Sequence, residues 1–276
     1  MPLVLVGTPI GNLGDLSPRA VEALAAADAI CCEDTRRTGR LLQHAGVPRT
    51  PLIVVNDHTE LGAIDGVLAR LAAGERVAVV SDAGMPGISD PGERLVRAAV
   101  AVGHVVEVVP GPSAAVTALV ASGLAAGRFA FEGFLPRKGS GRTERLAEIA
   151  VERRTVVLYE APHRLGRTLD DLAAVCGVER PVALGRELTK LHEEIWRGTL
   201  GAAVEWATAH EPRGELVIVL DGAPAPPAAS PEDVESAVRA RLEVGDTARD
   251  AAAAVAARLG VPKRTAYEVA VRLRRT

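Results

Sequence analysis

The sequence predicts an α/β fold with a parallel sheet covered on both faces. Two observations predict it. Short, continuous apolar runs alternate with helical patterns through the first half of the chain. A strand that is apolar along its whole length is buried on both sides, as in a parallel sheet flanked by helices. Glycine- and proline-rich loops directly follow three of these runs, at 7–14, 81–92 and 110–114, where α/β folds gather their ligands.

Leu3 to Val6 reads as the first strand. Ser17-Pro18 then supplies an N-cap and a first-turn proline for a helix through Ala27. Ala29 to Cys32 is a second strand and Thr35 to Ala45 a second helix. Leu52 to Val55, Val77 to Val80 and Val105 to Val108 continue the series. Helices over Leu61 to Ala73 and Pro91 to Val102 separate them, with Pro91 expected to open the latter. Ser113 caps a helix running to Ser122. Residues 133 to 141 are polar and rich in glycine, and read as a loop near a domain junction. Strands follow near Thr155 to Leu158, Pro181 to Leu184, Glu194 to Arg197 and Glu215 to Leu220. Helices are expected near Arg164 to Val175 and Leu200 to Ala209. Ala223 to Ser230 is Pro/Ala-rich and reads as a linker. Beyond it the pattern is helical only, over 231–243, 247–259 and 263–274.

A chain of 276 residues suggests about two domains at roughly 150 residues each. Its 48% hydrophobic content fits a globular protein, and no apolar run approaches the roughly 20 residues of a membrane span. The start, Met-Pro-Leu-Val-Leu-Val-Gly, lacks the basic region of a signal peptide. Cys31, Cys32 and Cys176 are odd in number and show no Cys-x-x-Cys spacing. That argues against a disulfide framework and a structural metal site, and for a reducing cytoplasm. The net charge of −3 does not announce a nucleic-acid binder. Basic residues nevertheless cluster locally: Arg36, Arg37 and Arg40; Arg137, Lys138, Arg142 and Arg145; and six basic side chains against one acidic over 258–276. Such patches bind phosphate even on an acidic molecule. Three lysines against 29 arginines also indicate a compositional bias, so arginine abundance alone says little.

The longest loop, Ser81-Asp-Ala-Gly-Met-Pro-Gly-Ile-Ser-Asp-Pro-Gly92, carries twelve consecutive residues of turn chemistry. A strand delivers it, and its glycines allow backbone to approach a ligand closely. The first loop, Gly7-Thr8-Pro9-Ile10-Gly11-Asn12-Leu13-Gly14, is not Gly-x-Gly-x-x-Gly, and Pro9 disturbs a helix start that would cradle a pyrophosphate. Glu33-Asp34 ends the second strand where a dinucleotide fold puts its ribose-binding acid, so a NAD-dependent enzyme stands as one alternative. The third loop is Pro110-Gly-Pro-Ser113-Ala114. Ser113 serves there either as a helix cap or as a ligand contact.

Gly-Thr-Pro-Ile-Gly-Asn at the start, the Asp82 loop and Pro-x-Pro-Ser-Ala together resemble the tetrapyrrole-methylase superfamily, the class III methyltransferases that use S-adenosylmethionine. Cys32-Glu-Asp-Thr-Arg36, the 81–92 loop, Tyr159-Glu-Ala-Pro-His-Arg164 and Arg186-Glu-Leu-Thr-Lys190 are similar to a bacterial branch acting on ribosomal RNA. The resemblance runs from Leu3 to about Gly222 and more weakly beyond. It implies two α/β domains, 1–112 and 113–222, with the cofactor in the cleft between them, followed by a C-terminal helical module at 231–276. It implies S-adenosylmethionine as cofactor, held by Pro9, Asp82, Met85, Ser113, Ala114 and Tyr159, with the strand around Gly214 to Leu216 closing the site. It further implies a homodimer, and a cytidine 2′-hydroxyl of 16S ribosomal RNA in the small ribosomal subunit as target. Asn56-Asp57-His58-Thr59-Glu60 departs from the family pattern, which carries a second Asn between His and Glu, and weighs less as a site.

A ribose hydroxyl is a modest nucleophile, so a general base, or a cation that stabilises a developing alkoxide, helps methylation. The candidates are Glu160 and His163, which flank a proline turn, and Glu187 and Lys190, with Glu193 nearby. A structural hydrogen bond for His163 and a solvated charged face for the others are the alternatives. Arg36 and Arg164 are candidates for RNA phosphates, or for pairing with nearby acids. Residues 256–267 resemble a helix-turn-helix, with Gly260 at the turn and Lys263 and Arg264 opening the second helix. That module is expected to hold RNA or to cap the fold. A methyltransferase acting on a tetrapyrrole or a modified histidine, and a nucleic-acid-binding protein without catalysis, are the remaining alternatives.

Overall fold

The computed structural model describes residues 1–56, 58–210, 213–225 and 229–274. Among them, ten strands form two five-stranded sheets. The first sheet, in the order β3-β2-β4-β1-β5, is built from β1 (Leu3–Val6), β2 (Ala29–Cys32), β3 (Leu52–Val54), β4 (Val77–Val79) and β5 (Val106–Val109). All of its pairings are parallel. The apolar runs explain the burial. Val4, Val6, Ile30, Cys32, Ala78 and Val80 face α1 (Pro18–Ala25) and α2 (Thr35–His44), while Leu3, Cys31, Val77 and Val79 face α3 (Glu60–Ala72) and α4 (Glu93–Ala101). Alternate side chains go to opposite faces of a strand, so each run must be apolar at every position.

Local signals set the helix starts. The Ser17 hydroxyl accepts the Ala20 N–H, and Asp34 accepts the Arg36 N–H. Helix α4 begins at Glu93, not at Pro91. Gly92 stands at its N-cap with φ +124°, and the buried Glu60 carboxylate accepts the N–H groups of Gly92, Arg94 and Leu95 at 2.9, 3.1 and 3.2 Å. One acidic side chain from α3 thus caps α4 and ends the long loop.

The second sheet runs β6-β7-β10-β8-β9, from β6 (Phe129–Phe134), β7 (Thr155–Glu160), β8 (Pro181–Arg186), β9 (Glu194–Thr199) and β10 (Leu216–Leu220). Only β6 and β7 pair in parallel there; the other pairings are antiparallel. Helices α6 (Ser140–Val151), α7 (Pro162–Cys176) and α8 (Leu200–His210) cover one face. Helix α5 (Ala114–Ser122) packs on the other, with Ile10 of the first loop beside it. Strand β6 and helix α6, neither of them read from the sequence, narrow the loop expected at 133–141 to 135–139. Both sheets lie within one compact unit, Met1–Ala223.

The second unit, Pro224–Thr276, holds α9 (Pro231–Glu243), α10 (Ala248–Leu259) and α11 (Lys263–Leu273) around its own core of Val234, Val238, Val255 and five alanines. Ser230 and Asp233 form a capping box, and Gly260 ends α10 at φ +66°. Part of the linker reading, 226–228, lies outside the described residues, as do Asp57 and the last two positions.

Candidate active site

The three loops predicted to touch a ligand meet at the carboxyl ends of the first sheet's strands. Thr8 and Gly84 exchange backbone hydrogen bonds of 2.9 and 3.1 Å, and the Thr8 hydroxyl donates to the Ser81 carbonyl. The first and third loops approach more closely still. A Cβ on Gly7 would stand 2.6 Å from Gly111 Cα, and one on Gly111 would stand 2.7 Å from Gly7 Cα. Backbone packs on backbone there, which no other residue type permits.

Below these loops opens a cavity of about 310 Å³. The 83–90 segment, Ser113-Ala114, the β7 end from Tyr159 to Pro162 and residues 214–217 all line it, with Ile10 and Phe134. Apolar groups therefore dominate a surface into which Asp90 and Glu215 bring carboxylates. Tyr159 is fixed by edge-on contacts with Phe131 and Phe134, at ring-centre distances of 5.0 and 5.6 Å. Its hydroxyl accepts the Ala115 N–H at 3.3 Å. Burial pushes the phenol above its ordinary value, against the pull of that hydrogen bond, so it is neutral at pH 7. Ser113 occupies the N-cap of α5 without a side-chain capping bond.

Of the residues named from the sequence, Met85, Ser113, Ala114 and Tyr159 line this cavity. Pro9 and Asp82 line a second recess with Arg37 and Arg40. Asp82 accepts the Asp34 N–H at 3.2 Å and pairs with Arg37 at 3.4 Å, and its own N–H donates to Glu33. The cluster Glu33, Asp34, Arg37 and Asp82 ties the second strand's end to the long loop. Arg36 stands exposed and pairs with Asp34.

Glu160 also lines the cavity, yet its carboxylate is fully engaged. It accepts from Arg164 Nε at 3.1 Å, the Thr168 hydroxyl at 2.6 Å and the Ala161 N–H at 2.9 Å. Arg164 donates in addition to the Leu135 carbonyl. His163 is exposed and faces a different recess. Glu187 accepts from Lys190 Nζ at 2.7 Å and from the Glu215 N–H at 2.9 Å, and Lys190 also reaches the Glu215 carboxylate at 3.1 Å. The Lys190 bond holds the Glu187 carboxyl below the usual glutamate range. Burial pulls Lys190 down, but its two carboxylate partners outweigh it and leave the ammonium above the ordinary lysine value. Both groups are charged at neutral pH. Through Glu215, Lys190 is linked to the cavity wall. In the second unit, Lys263 and Arg264 are exposed in the first turn of α11, and Arg264 pairs with Glu268.

Ile88, Ser89 and Phe134 were not singled out in the sequence. The turn-rich run signals the first two only as a group. Phe134 lies on a strand the reading missed. Ser89 carries φ +59°, uncommon for a residue with a side chain, and a Cβ on Gly133 (φ +60°) would stand 2.8 Å from its hydroxyl. The strained turn and the β6 bulge at Phe131/Gly133 are thus fitted to each other. No group of three or more metal-ligating side chains occurs among the described residues.

The family model described as Tetrapyrrole (Corrin/Porphyrin) Methylases matches residues 2–204. Curated relatives named ribosomal RNA small subunit methyltransferase I match nearly the whole chain. The Synechocystis protein is 46% identical over 98% of this chain and 98% of its own length. The protein from Escherichia coli O157:H7 is 44% identical over 98% of this chain and 94% of its own. Among solved structures, the methyltransferase CobJ aligns with a TM-score of 0.62 at 24% identity, over 80% of this chain and 94% of that one. Uroporphyrin-III C-methyltransferase from Thermus thermophilus, solved with S-adenosylhomocysteine, aligns at 0.57 and 20% identity over 80% and 97%. These structures share the fold. The chain belongs to the tetrapyrrole methylase family, and within it to the group of ribosomal RNA small subunit methyltransferase I.

Proposed function

We propose that this protein methylates the ribose 2′-hydroxyl of a cytidine in 16S ribosomal RNA of the small subunit, with S-adenosylmethionine as donor. The coarser part, methylation of small-subunit ribosomal RNA, is what the relatives' shared name states. One observation carries the reading on the chain itself. The three backbone-built loops and the Tyr159 turn converge on one largely apolar cavity that also contains carboxylates.

That lining fits the cofactor. Ile10, Ala83, Met85 and Leu216 offer apolar surface for a thioether chain and a base, while Asp90 and Glu215 suit hydroxyl and ammonium groups. When bound, S-adenosylmethionine supplies a methyl group on a positively charged sulfur, a donor that needs no metal. The protein's task is then to hold the hydroxyl in line, about 3–3.5 Å from the methyl carbon it attacks, and to exclude water. Glu160, with both carboxylate oxygens engaged, and Glu187, whose Oε1 accepts two bonds, set backbone and side chains in place. Lys190, held between the Glu187 and Glu215 carboxylates, fixes Glu215 in the cavity wall and is the cation nearest to hand for a developing alkoxide.

Purified protein, labelled cofactor and small subunits lacking the modification test the reading. Label is expected on a cytidine ribose, mapped by nuclease digestion and mass spectrometry. Label on a base, or none, rejects it.

A further inference from the structure

A smaller recess, about 240 Å³, adjoins the cavity along the chain. It is lined by Arg137, Arg142, His163, Arg164, Arg167 and Thr168. No carboxylate lines it. Two segments supply both hollows: Phe134 and Pro162 line the larger, Arg137 and His163 the smaller. Pro162 and His163 are consecutive, and Arg137 stands three residues from Phe134, at most roughly 10 Å along extended chain.

The inner arginines are structural. Arg142 is 4% exposed and donates to Asp171 at 2.8 Å, to the Pro136 carbonyl and to Thr168. Arg164 is held by Glu160 and the Leu135 carbonyl. Four guanidiniums therefore meet two carboxylates. Asp171, already bound by Arg142, lies 3.9 Å from Arg167, whose side chain is 64% exposed. Arg137 and Lys138 are exposed beside it. Helices α6 and α7 both begin here, and neither has a side-chain cap on its first turn. The dipoles of both helices add to the positive potential.

Resting on the function proposed above, we infer that this recess binds a backbone phosphate of the substrate RNA, with Arg137 and Arg167 as its outer clamp. A planar guanidinium matches two phosphate oxygens at once. The contact positions the strand whose ribose enters the larger cavity, and it carries no sequence information.

The test compares wild type, an Arg137→Ala/Arg167→Ala double variant and the charge-keeping Arg137→Lys/Arg167→Lys variant. Thermal midpoint and S-adenosylmethionine affinity, by calorimetry, control for folding. KM for unmodified small subunits is measured across a salt series. In the alanine variant KM is expected to rise, and the salt slope to fall by roughly 0.7–0.9 for each lost phosphate contact. The lysine variant is expected to keep most of the slope. An unchanged slope in a folded, cofactor-binding alanine variant overturns the inference while wild-type methylation upholds the function. Absence of methylation by wild type overturns both. Stabilisation of wild type by inorganic phosphate, with an unchanged RNA slope in the variant, assigns the recess to a free anion and also overturns it.

Discussion

Glu160 and Glu187 show how a residue type can be legible while its role is not. Acidic groups beside prolines and basic groups marked both segments as chemical. Folding then brought Arg164 and Thr168 to one and Lys190 to the other, so each carboxylate is a strut of the cavity wall. The capping role of Glu60 went unread because nothing local shows that an acid on α3 will cap α4, more than thirty residues away. The Glu187–Lys190 pair has a pH signature. The Glu187 carboxyl lies below the ordinary 4.5 in the folded chain, so its contribution is present above that pH and lost as pH falls through the lowered folded value. Lys190 lies above the ordinary 10.5, so its contribution is complete below that pH and lost only as pH rises through the folded value. Glu187→Gln is therefore expected to lower the urea midpoint at pH 7, and the gap to wild type is expected to narrow as pH falls below 4.5 toward the lowered folded value. A gap that stays constant across acid pH would show that the pair adds nothing.

At the scale of elements, the strands of the first sheet were readable because their burial is uniform: one composition rule covers every position. Strand β6 was not. Phe129-Ala-Phe-Glu-Gly-Phe134 is mostly half-exposed and broken by a bulge, so neither alternation nor a continuous apolar run marks it. Helix α6 starts from Gly139 without a side-chain cap, which removed the usual start signal. The loops depend on close contact between elements, and this yields a sharp test. Gly111→Ala places a methyl 2.7 Å from the backbone of Gly7. The loops must separate, at an expected cost of about 1–3 kcal/mol by analogy with overpacked cores. S-adenosylmethionine affinity, measured by calorimetry, should fall at least tenfold. Normal affinity in the variant would mean that the Gly7–Gly111 contact does not shape the cavity.

For the whole molecule, the two units carry separate hydrophobic clusters. A chain ending at Ala223 is expected to unfold cooperatively and to keep its cofactor affinity, by circular dichroism and calorimetry. If the helical module also grips RNA, as Lys263 and Arg264 suggest, the shortened chain will bind small subunits with a shallower salt dependence. An identical slope would leave the module a structural cap.

By itself, the sequence determined the parallel sheet, the three glycine- and proline-rich loops, the helical module and the family, because apolar periodicity, Gly/Pro chemistry and motif order are local properties of the chain. Only the tertiary structure decided that Met85, Ser113, Ala114 and Tyr159 share one cavity while Asp82 turns toward Arg37. It likewise decided that Glu160 is locked by Arg164 and that His163 faces a basic recess. Which side chain meets which depends on strand order and loop packing between distant segments, and spacing along the chain does not encode those contacts.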